Sequence, residues 1–348
     1  MSIMVSSLSA DDMPEVTETD AETLAWQLYG LRAKASPLTG ERDRNFRMRS
    51  DKGEYVLKVS NTREAPATTH FQNAMLRHLH SHGTDVPLPR LISTLTGQDE
   101  AIYISPVGST HIVRLISYLP GKQLSAVSQS ADLRRQVAVA AGKIDLALSD
   151  FVSGYSDNEM LWNIARADRI RPLLANVENR DLRRLADDAL AHWEASIHPA
   201  LMNLPHQFIH NDLNLHNIVV DEAGTLSGII DFGDAVKAPA ICELATAAAY
   251  QLFDLDDPVS ALAAMASEYH AVRPISEAEI DVLVSLVATR WAITIGIAHT
   301  RARRHQTNGA YIMRNAPPSH RALEKFATIS VDAATDILKQ TCFGRGTK

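Results

Sequence analysis

The chain has 348 residues, of which 45% are apolar and 22% charged, proportions ordinary for a globular protein that buries a full hydrophobic core. Its formal net charge of −7 and its two cysteines argue against a nucleic-acid-binding surface and against a disulfide framework. The first residues show no basic segment followed by an apolar run, so we predict no export signal and expect a cytoplasmic protein.

The first third of the chain is predicted to be rich in short strands. Residues 1–20 are acidic and rich in serine and threonine, which predicts a flexible tail, and residues 21–29 have helical spacing that ends at Gly30. A second helix is predicted over 68–82, with apolar residues on one face. The clearest strand candidates, bounded by turn residues, are 55–59, 101–105 and 111–118.

Helical periodicity dominates after Pro120-Gly121 and predicts helices over 131–150, 168–174 and 180–196. We therefore predict a β-rich N-terminal lobe over 21–118 and a larger, helical C-terminal lobe over 119–348. The most apolar helical stretch, 281–298, carries Arg290 in its middle and is predicted to be a buried helix rather than a membrane span.

One strand-rich island, 208–232, interrupts the helices and carries the chemistry. Two apolar strands there are each followed by a loop of carboxylate and amide groups. Asp212 and Asn217 lie five residues apart, and Asp231 opens an Asp-Phe-Gly sequence further on. Phosphoryl transfer needs a carboxylate to accept the proton of a hydroxyl group and oxygen ligands to hold Mg²⁺. With Lys58 at the end of an upstream strand, the order and spacing indicate a kinase.

These motifs resemble the aminoglycoside phosphotransferase and choline kinase superfamily of small-molecule kinases. Within it, the chain is most similar to the hydroxylysine kinases. The resemblance implies an α+β, two-lobed, protein-kinase-like fold. The stretches that carry it are 55–61, 113–121, 162–163, 210–218 and 227–234.

The resemblance also assigns roles to individual residues. It implies that Asp212 is the catalytic base, that Asn217 and Asp231 bind Mg²⁺, and that Lys58 pairs with the inner phosphates of the nucleotide. Because hydroxylysine kinases use GTP, the implied phosphoryl donor is GTP, with ATP as the alternative.

Two further segments are implied to bind the nucleotide. The loop 40–46, which begins at Gly40, would cover the phosphates, and Ser117 and Leu119 would offer backbone groups to the purine. The loop has one glycine and several charges, unlike a glycine-rich kinase loop. The residue that pairs with Lys58 is left open between Gln72 and Glu64.

The expected acceptor is the hydroxyl group of an amino alcohol or hydroxylated amino acid, with 5-hydroxylysine first. Choline, ethanolamine, homoserine and aminoglycosides are the alternatives. Asp234 is a candidate partner for an ammonium group, and Trp162 and Arg290 are candidates for the pocket, with the arginine facing an amino-acid carboxylate. Glu243 is expected to brace the catalytic loop.

Several other interpretations remain open at this point. Asn211 stands where many superfamily members have glycine, and we expect its side chain to point to solvent. His210 is expected to be structural, although His210, Asp212 and His216 also suit a zinc hydrolase. A catalytically silent nucleotide-binding regulator is a third possibility. The basic run 301–305 is interpreted as a solvated helix end, and no oligomeric state is predicted.

Overall fold

The computed structural model describes residues 13–40, 43–155, 160–304 and 313–344. The chain divides into two compact units. The first comprises Met1–Pro120 with Ser153–Tyr155, and the second comprises Gly121–Val152 with Ser156–Lys348. The division follows Pro120, and the lobe boundary expected at residue 118 stays a prediction.

The first unit opens with helix α1, Glu18–Tyr29, which begins in a capping box. The Thr17 hydroxyl accepts a hydrogen bond from the Asp20 N–H, and the Asp20 carboxylate accepts one from the Thr17 N–H. Gly30 ends the helix in the left-handed conformation. The expected tail of residues 1–20 is therefore wrong at its end, because Glu18–Asp20 form the first turn of this helix.

An antiparallel sheet forms the rest of the first unit, with helix α2 at Pro66–Ser81. The described strands pair in the order β1-β2-β3-β6-β4, and β5 also pairs with β6. Apolar side chains of α1 and of the sheet, including Leu24, Phe46 and Leu115, form one buried cluster. The strands are β1 Lys34–Leu38, β2 Arg44–Ser50, β3 Gly53–Val59, β4 Leu91–Ile92, β5 Ala101–Ile104 and β6 Thr110–Ser117.

The second unit is mainly helical. Its described α-helices are α3 Ala131–Ala147, α4 Arg180–His192, α5 His198–Leu201, α6 Ile241–Gln251, α7 Pro258–Val272, α8 Glu277–Arg304, α9 Ala316–Phe326 and α10 Val331–Phe343. The helix expected over 168–174 is a longer 3₁₀ segment, Ile164–Asn176, that contains Pro172 and a kink at Arg166. The helix expected over 180–196 stops at His192 and continues as a π-helical turn, Trp193–Ile197.

Short strands of the second unit carry the loops of interest. They are β7 Lys122–Gln123, β8 His206–Ile209, β9 Ile218–Val220, β10 Leu226–Ile229 and β11 Val236–Pro239. β9 pairs with β10 and β7, and β8 pairs with β11. Ile218 at the start of β9 pairs with Ile229 at the end of β10, and His210 after β8 bonds the Ile230 carbonyl, so the loops 210–217 and 230–235 lie next to each other.

Helix α8 is the central helix of the second unit. By length and composition it is apolar enough to cross a membrane, but 89% of its most apolar window is buried inside the protein, as in the core helix of a globular domain. Gly296 permits a close approach, since a Cβ there would lie 2.8 Å from Ile170 in the 3₁₀ segment. The backbone of α8 therefore packs tightly against the segment that follows Trp162.

Candidate active site

His210 anchors the loop that follows β8. Its Nε2–H donates to the Ile230 carbonyl (3.0 Å), and its Nδ1 accepts the Asp212 N–H (3.2 Å). Burial lowers the pKa of His210 to about 4, so the ring is neutral. Since both ring nitrogens bind backbone groups, the histidine is structural, as expected. Among the described residues, neither His210 nor His216 belongs to a group of three side chains that could bind one metal ion. This argues against the zinc interpretation.

Asn211 adopts a left-handed backbone conformation, with φ of 66°. Asparagine tolerates this region better than most residues, and glycine tolerates it freely, so both residue types suit this position. The expectation that the side chain points to solvent is wrong, because Asn211 is 0% exposed. Its N–H donates to Glu243 (2.7 Å) and its amide to the Asp234 carbonyl (3.0 Å). Glu243 thus bonds the catalytic loop directly.

Two side-chain amides hold the Asp212 carboxylate. The Asn214 amide nitrogen lies 2.9 Å from both carboxylate oxygens, and the Asn217 amide nitrogen lies 2.7 Å from one of them. The Asn214 amide oxygen accepts the His216 N–H (2.7 Å), which fixes the orientation of the amide. The carboxylate is therefore preorganised by donors that are themselves held in place.

Arg290 of α8 pairs with the same carboxylate. Its Nη2 lies 3.5 Å from Asp212 Oδ1 and 3.4 Å from the Tyr250 hydroxyl, and its Nη1 donates to the Trp162 carbonyl at 2.5 Å. The side chain is 0% exposed. Arg290, a candidate partner for an acceptor carboxylate, therefore has its guanidinium in contact with Asp212, Tyr250 and Trp162.

The surroundings of Asp212 raise the pKa of its carboxyl group. Burial and the nearby charge of Asp234 raise the pKa of Asp212 to about 8, while Arg290 and Asn214 oppose the increase. The side chain is still 19% exposed, so a small molecule can reach it. A carboxyl group with a pKa close to neutrality suits general base catalysis at physiological pH.

Asp231 lies in the loop that follows β10. Its backbone is left-handed, with φ of 65°, and its carboxylate accepts the Gly233 N–H at 3.3 Å. The Ile230 N–H donates to the Asn217 carbonyl (2.9 Å), which joins this loop to the catalytic loop. Asp231 also raises the pKa of Asp212, as expected for neighbouring carboxylates.

The chemistry of Asn217 and Asp231 suits a hard divalent cation. The Asn217 amide nitrogen donates to both the carbonyl and the carboxylate of Asp212, so its amide oxygen is the atom oriented for a different ligand. Together with the exposed Asp231 carboxylate it supplies the oxygen donors that Mg²⁺ prefers. The residues present therefore fit the predicted metal, whose binding remains a prediction.

In the first unit, Lys58 lies on β3 between two polar neighbours. Asn45 of β2 and Arg114 of β6 are its partners in the two ladders, so all three side chains share one face of the sheet. Gly40 is required nearby, since a Cβ there would lie 2.6 Å from the Asn45 amide nitrogen. Residues 41 and 42 of the expected phosphate loop lie outside the described residues.

The two candidate partners of Lys58 have different surroundings. The amide oxygen of Gln72 accepts a hydrogen bond from Arg114, and Asn73 accepts a second one at 3.1 Å. Glu64 accepts from the Thr69 hydroxyl at 2.8 Å, and burial raises its pKa while Arg114 and Lys58 lower it. Gln72 is thus committed to Arg114, which favours Glu64.

The expected purine-binding segment begins at Ser117, the last residue of β6. The Ser117 N–H donates to the Arg90 carbonyl (2.8 Å), and its hydroxyl accepts the Arg90 N–H (2.9 Å). Leu119 is half-buried. A purine would therefore meet backbone groups of this segment other than the Ser117 N–H.

Sequence reasoning missed two contributors to the site. Asn214 lies inside the segment 210–218, two residues after Asp212, and its residue type was the available signal. Tyr250 of α6 gave no signal, because its contact with Arg290 spans 40 residues and depends on helix packing.

Comparison with known proteins identifies the family of the chain. Residues 34–277 match the phosphotransferase enzyme family. The chain belongs to that family. It is an enzyme that transfers a phosphoryl group to a hydroxyl acceptor, and as a family member it is a small-molecule kinase.

Curated relatives and solved structures extend the match over most of the chain. Hydroxylysine kinase of Xenopus laevis is 26% identical over 95% of both chains. Homoserine kinase of Paramagnetospirillum magneticum is 27% identical over 80% of this chain and 83% of its own.

Two solved structures share the fold, which confirms the predicted α+β, protein-kinase-like class. An amicoumacin kinase in complex with AMP-PNP and Ca²⁺ has a TM-score of 0.67 at 14% identity, covering 91% of this chain and 96% of its own. A microcompartment-associated aminopropanol kinase has a TM-score of 0.64 at 16% identity, covering 89% and 97%.

Proposed function

We propose that the protein is a cytoplasmic, Mg²⁺-dependent kinase that transfers the γ-phosphoryl group of GTP or ATP to the hydroxyl group of a hydroxylated amino acid, 5-hydroxylysine first. The observation that supports it most is the Asp212 carboxylate, held by two amides and a guanidinium yet open to solvent. The relatives that span 95% of the chain are hydroxylysine kinases, which supports this choice of acceptor.

Asp212 would orient the acceptor hydroxyl and accept its proton as the oxygen attacks the γ-phosphorus and the bond from that phosphorus to the nucleoside diphosphate breaks. The amides of Asn214 and Asn217 would keep the carboxylate aligned with the hydroxyl. Arg290 would offset the repulsion between Asp212 and the neighbouring carboxylates. The ammonium group of the acceptor would pair with Asp234.

Lys58 would pair with the nucleotide phosphates, with Glu64 as its positioning partner. Asn217 and Asp231 would hold Mg²⁺, which when bound neutralises phosphate charge during transfer. Gly40 would allow its loop to approach the phosphates. Leu119 and the carbonyl of Ser117 would meet the purine.

The proposal is tested by coupled release of nucleoside diphosphate. Purified protein is mixed with Mg²⁺ and either GTP or ATP, against 5-hydroxylysine, homoserine, choline, ethanolamine and an aminoglycoside. We expect turnover with 5-hydroxylysine and none with lysine, the matched control that lacks the hydroxyl group. Nucleotide binding without turnover on any acceptor would favour a silent regulator instead.

Homoserine is the second candidate acceptor. A homoserine kinase is similar over 80% of the chain, and homoserine also carries a hydroxyl, an ammonium and a carboxylate group. The same assay separates the two, because kcat/KM for 5-hydroxylysine and for homoserine is measured on one enzyme preparation.

The metal assignment has its own test. Asp231→Asn removes a negative oxygen ligand, so we expect Mg²⁺ to lose most of its effect on nucleotide affinity in calorimetry. Asp221→Asn, in the turn between β9 and β10, is the matched control. Wild-type Mg²⁺ dependence in Asp231→Asn would contradict the assignment.

A further inference from the structure

A hydroxylated amino acid carries a carboxylate that needs a cationic partner once it is removed from water. Arg290 is poorly placed for this role, because it is 0% exposed and pairs with Asp212. Its guanidinium also bonds the Trp162 carbonyl. A substrate carboxylate on Arg290 would compete with the very group that should receive the hydroxyl proton.

The Trp162 indole lies close to two guanidinium groups, those of Arg290 and Arg301. The guanidinium carbon of Arg290 lies 5.1 Å from the ring centroid, and that of Arg301 lies 5.9 Å from it. Both distances fall within the range of cation–π contacts. The two arginines therefore share one aromatic side chain, next to the catalytic carboxylate.

Helix geometry explains why both arginines reach the same ring. They are eleven residues apart on α8, which is about three turns, so they lie on one face of the helix. Helical side chains tilt toward the N-terminus, so Arg301 extends back toward Trp162. Arg301 and Trp162 are both half-buried, whereas Arg290 is wholly buried.

We infer that Arg301 binds the carboxylate of the acceptor and makes the enzyme selective for hydroxylated amino acids over hydroxylated amines. This rests on the proposed function. With the hydroxyl group at Asp212, the carbon chain of the acceptor lies along Trp162, and its carboxylate meets the guanidinium of Arg301. Arg301 is thus assigned to specificity and Arg290 to the catalytic carboxylate.

The chain offers a matched control in Arg303. It lies two residues further along α8 and donates to the Asn176 side chain (3.2 Å). Arg303→Met removes the same charge from the same end of the helix, and no ring contact joins Arg303 to Trp162 among the described residues.

The experiment compares two acceptors on the wild type and on the variants Arg301→Met, Arg301→Lys and Arg303→Met. The acceptors are 5-hydroxylysine and its decarboxylated analogue, 1,5-diaminopentan-2-ol. Loss of a charge-assisted hydrogen bond predicts that Arg301→Met lowers kcat/KM for the amino acid by about 10- to 100-fold, mainly through KM. We expect the value for the diamine to change by less than about threefold. Arg303→Met should leave the ratio of the two values at the wild-type level.

Each outcome decides the inference. Selective loss on the amino acid, with partial rescue in Arg301→Lys, supports it. An equal loss of kcat/KM on both acceptors, or no loss on either, overturns the inference. A wild type without preference for the amino acid also overturns it. Each of these results leaves the proposed function intact. If the wild type phosphorylates homoserine instead, the same experiment is done with homoserine and its decarboxylated analogue. Failure of the wild type on every hydroxylated amino acid overturns the proposed function and this inference together.

Discussion

Two carboxylates of the second unit, the partly buried Asp212 and the fully buried Asp145, differ in the features that a catalytic role requires. Asp145 of α3 is 0% exposed and accepts a hydrogen bond from the Tyr269 hydroxyl at 2.5 Å. Burial and the charge of Glu243 raise its pKa well above the ordinary value. Burial raises the pKa of Asp212 as well, to about 8. A raised pKa alone therefore does not identify the catalytic group.

The partners of the two carboxylates differ. Asp212 has two amide donors and a guanidinium, which stabilise its charged form, and 19% of its side chain is exposed. Asp145 accepts one hydrogen bond from a hydroxyl group, which favours its charged form, but burial and its acidic neighbours outweigh that donor and raise its pKa. Charge-stabilising donors together with solvent access distinguish the site that can do chemistry.

The largest expected effect comes from making the same substitution at both positions. Asp212→Asn keeps the shape of the side chain and removes the base, so we expect kcat to fall by about 10²- to 10⁴-fold with nucleotide affinity largely kept. Asp145→Asn keeps the size of the side chain and an acceptor for the Tyr269 hydroxyl, so we expect kcat to stay within about threefold of the wild type.

Steady-state kinetics and nucleotide titration on both variants provide the measurement. Near wild-type turnover in Asp212→Asn would remove its assignment as the base. A large loss in Asp145→Asn, with unchanged thermal stability, would remove the distinction between the two groups.

A smaller effect is expected from the amide that positions the base. Asn214→Ala removes the donor that spans both oxygens of Asp212, and we expect kcat to fall by about tenfold with KM for the nucleotide unchanged. Asn203→Ala is the matched control, since that exposed asparagine bonds the Pro199 carbonyl. A shift in KM for the nucleotide without loss of kcat would contradict the positioning role.

The smallest effect concerns stability against pH. Burial raises the pKa of Glu243 to about 7, so the folded state holds a proton that the unfolded state releases near pH 4.5. The free energy of unfolding contributed by Glu243 therefore decreases as pH rises from about 4.5 to about 7. Glu243→Gln keeps an acceptor for the Asn211 N–H and lacks this decrease. Urea unfolding of both proteins across that pH range measures it, and parallel curves would contradict it.

The grouping of the candidate site residues could be predicted from sequence, because these residues lie close together along the chain. His210, Asp212 and Asn217 belong to one loop, and strand patterning around it showed where the loop begins and ends. Helix α1 was predicted to start too late, although the Thr17 and Asp20 capping pair was visible in the sequence.

Contacts between distant segments could not be predicted. Arg290 meets Asp212 across 78 residues, and Arg114 meets Gln72 across 42. Both arginines are buried, although arginine side chains are rarely buried unless they are paired. Their partners depend on which faces of α8 and α2 are turned inward, and hydrophobic periodicity gives that only approximately.

The neutral ring of His210 offers a spectroscopic reporter of the catalytic loop. Its proton is held on Nε2 by Ile230, and its Nδ1 receives the Asp212 N–H. The nitrogen-15 chemical shifts of this imidazole should therefore stay those of a single tautomer from neutral pH down toward pH 4. A change in those shifts on adding nucleotide or acceptor would report rearrangement of the loop directly, with isotope labelling of histidine and no chemical modification of the site.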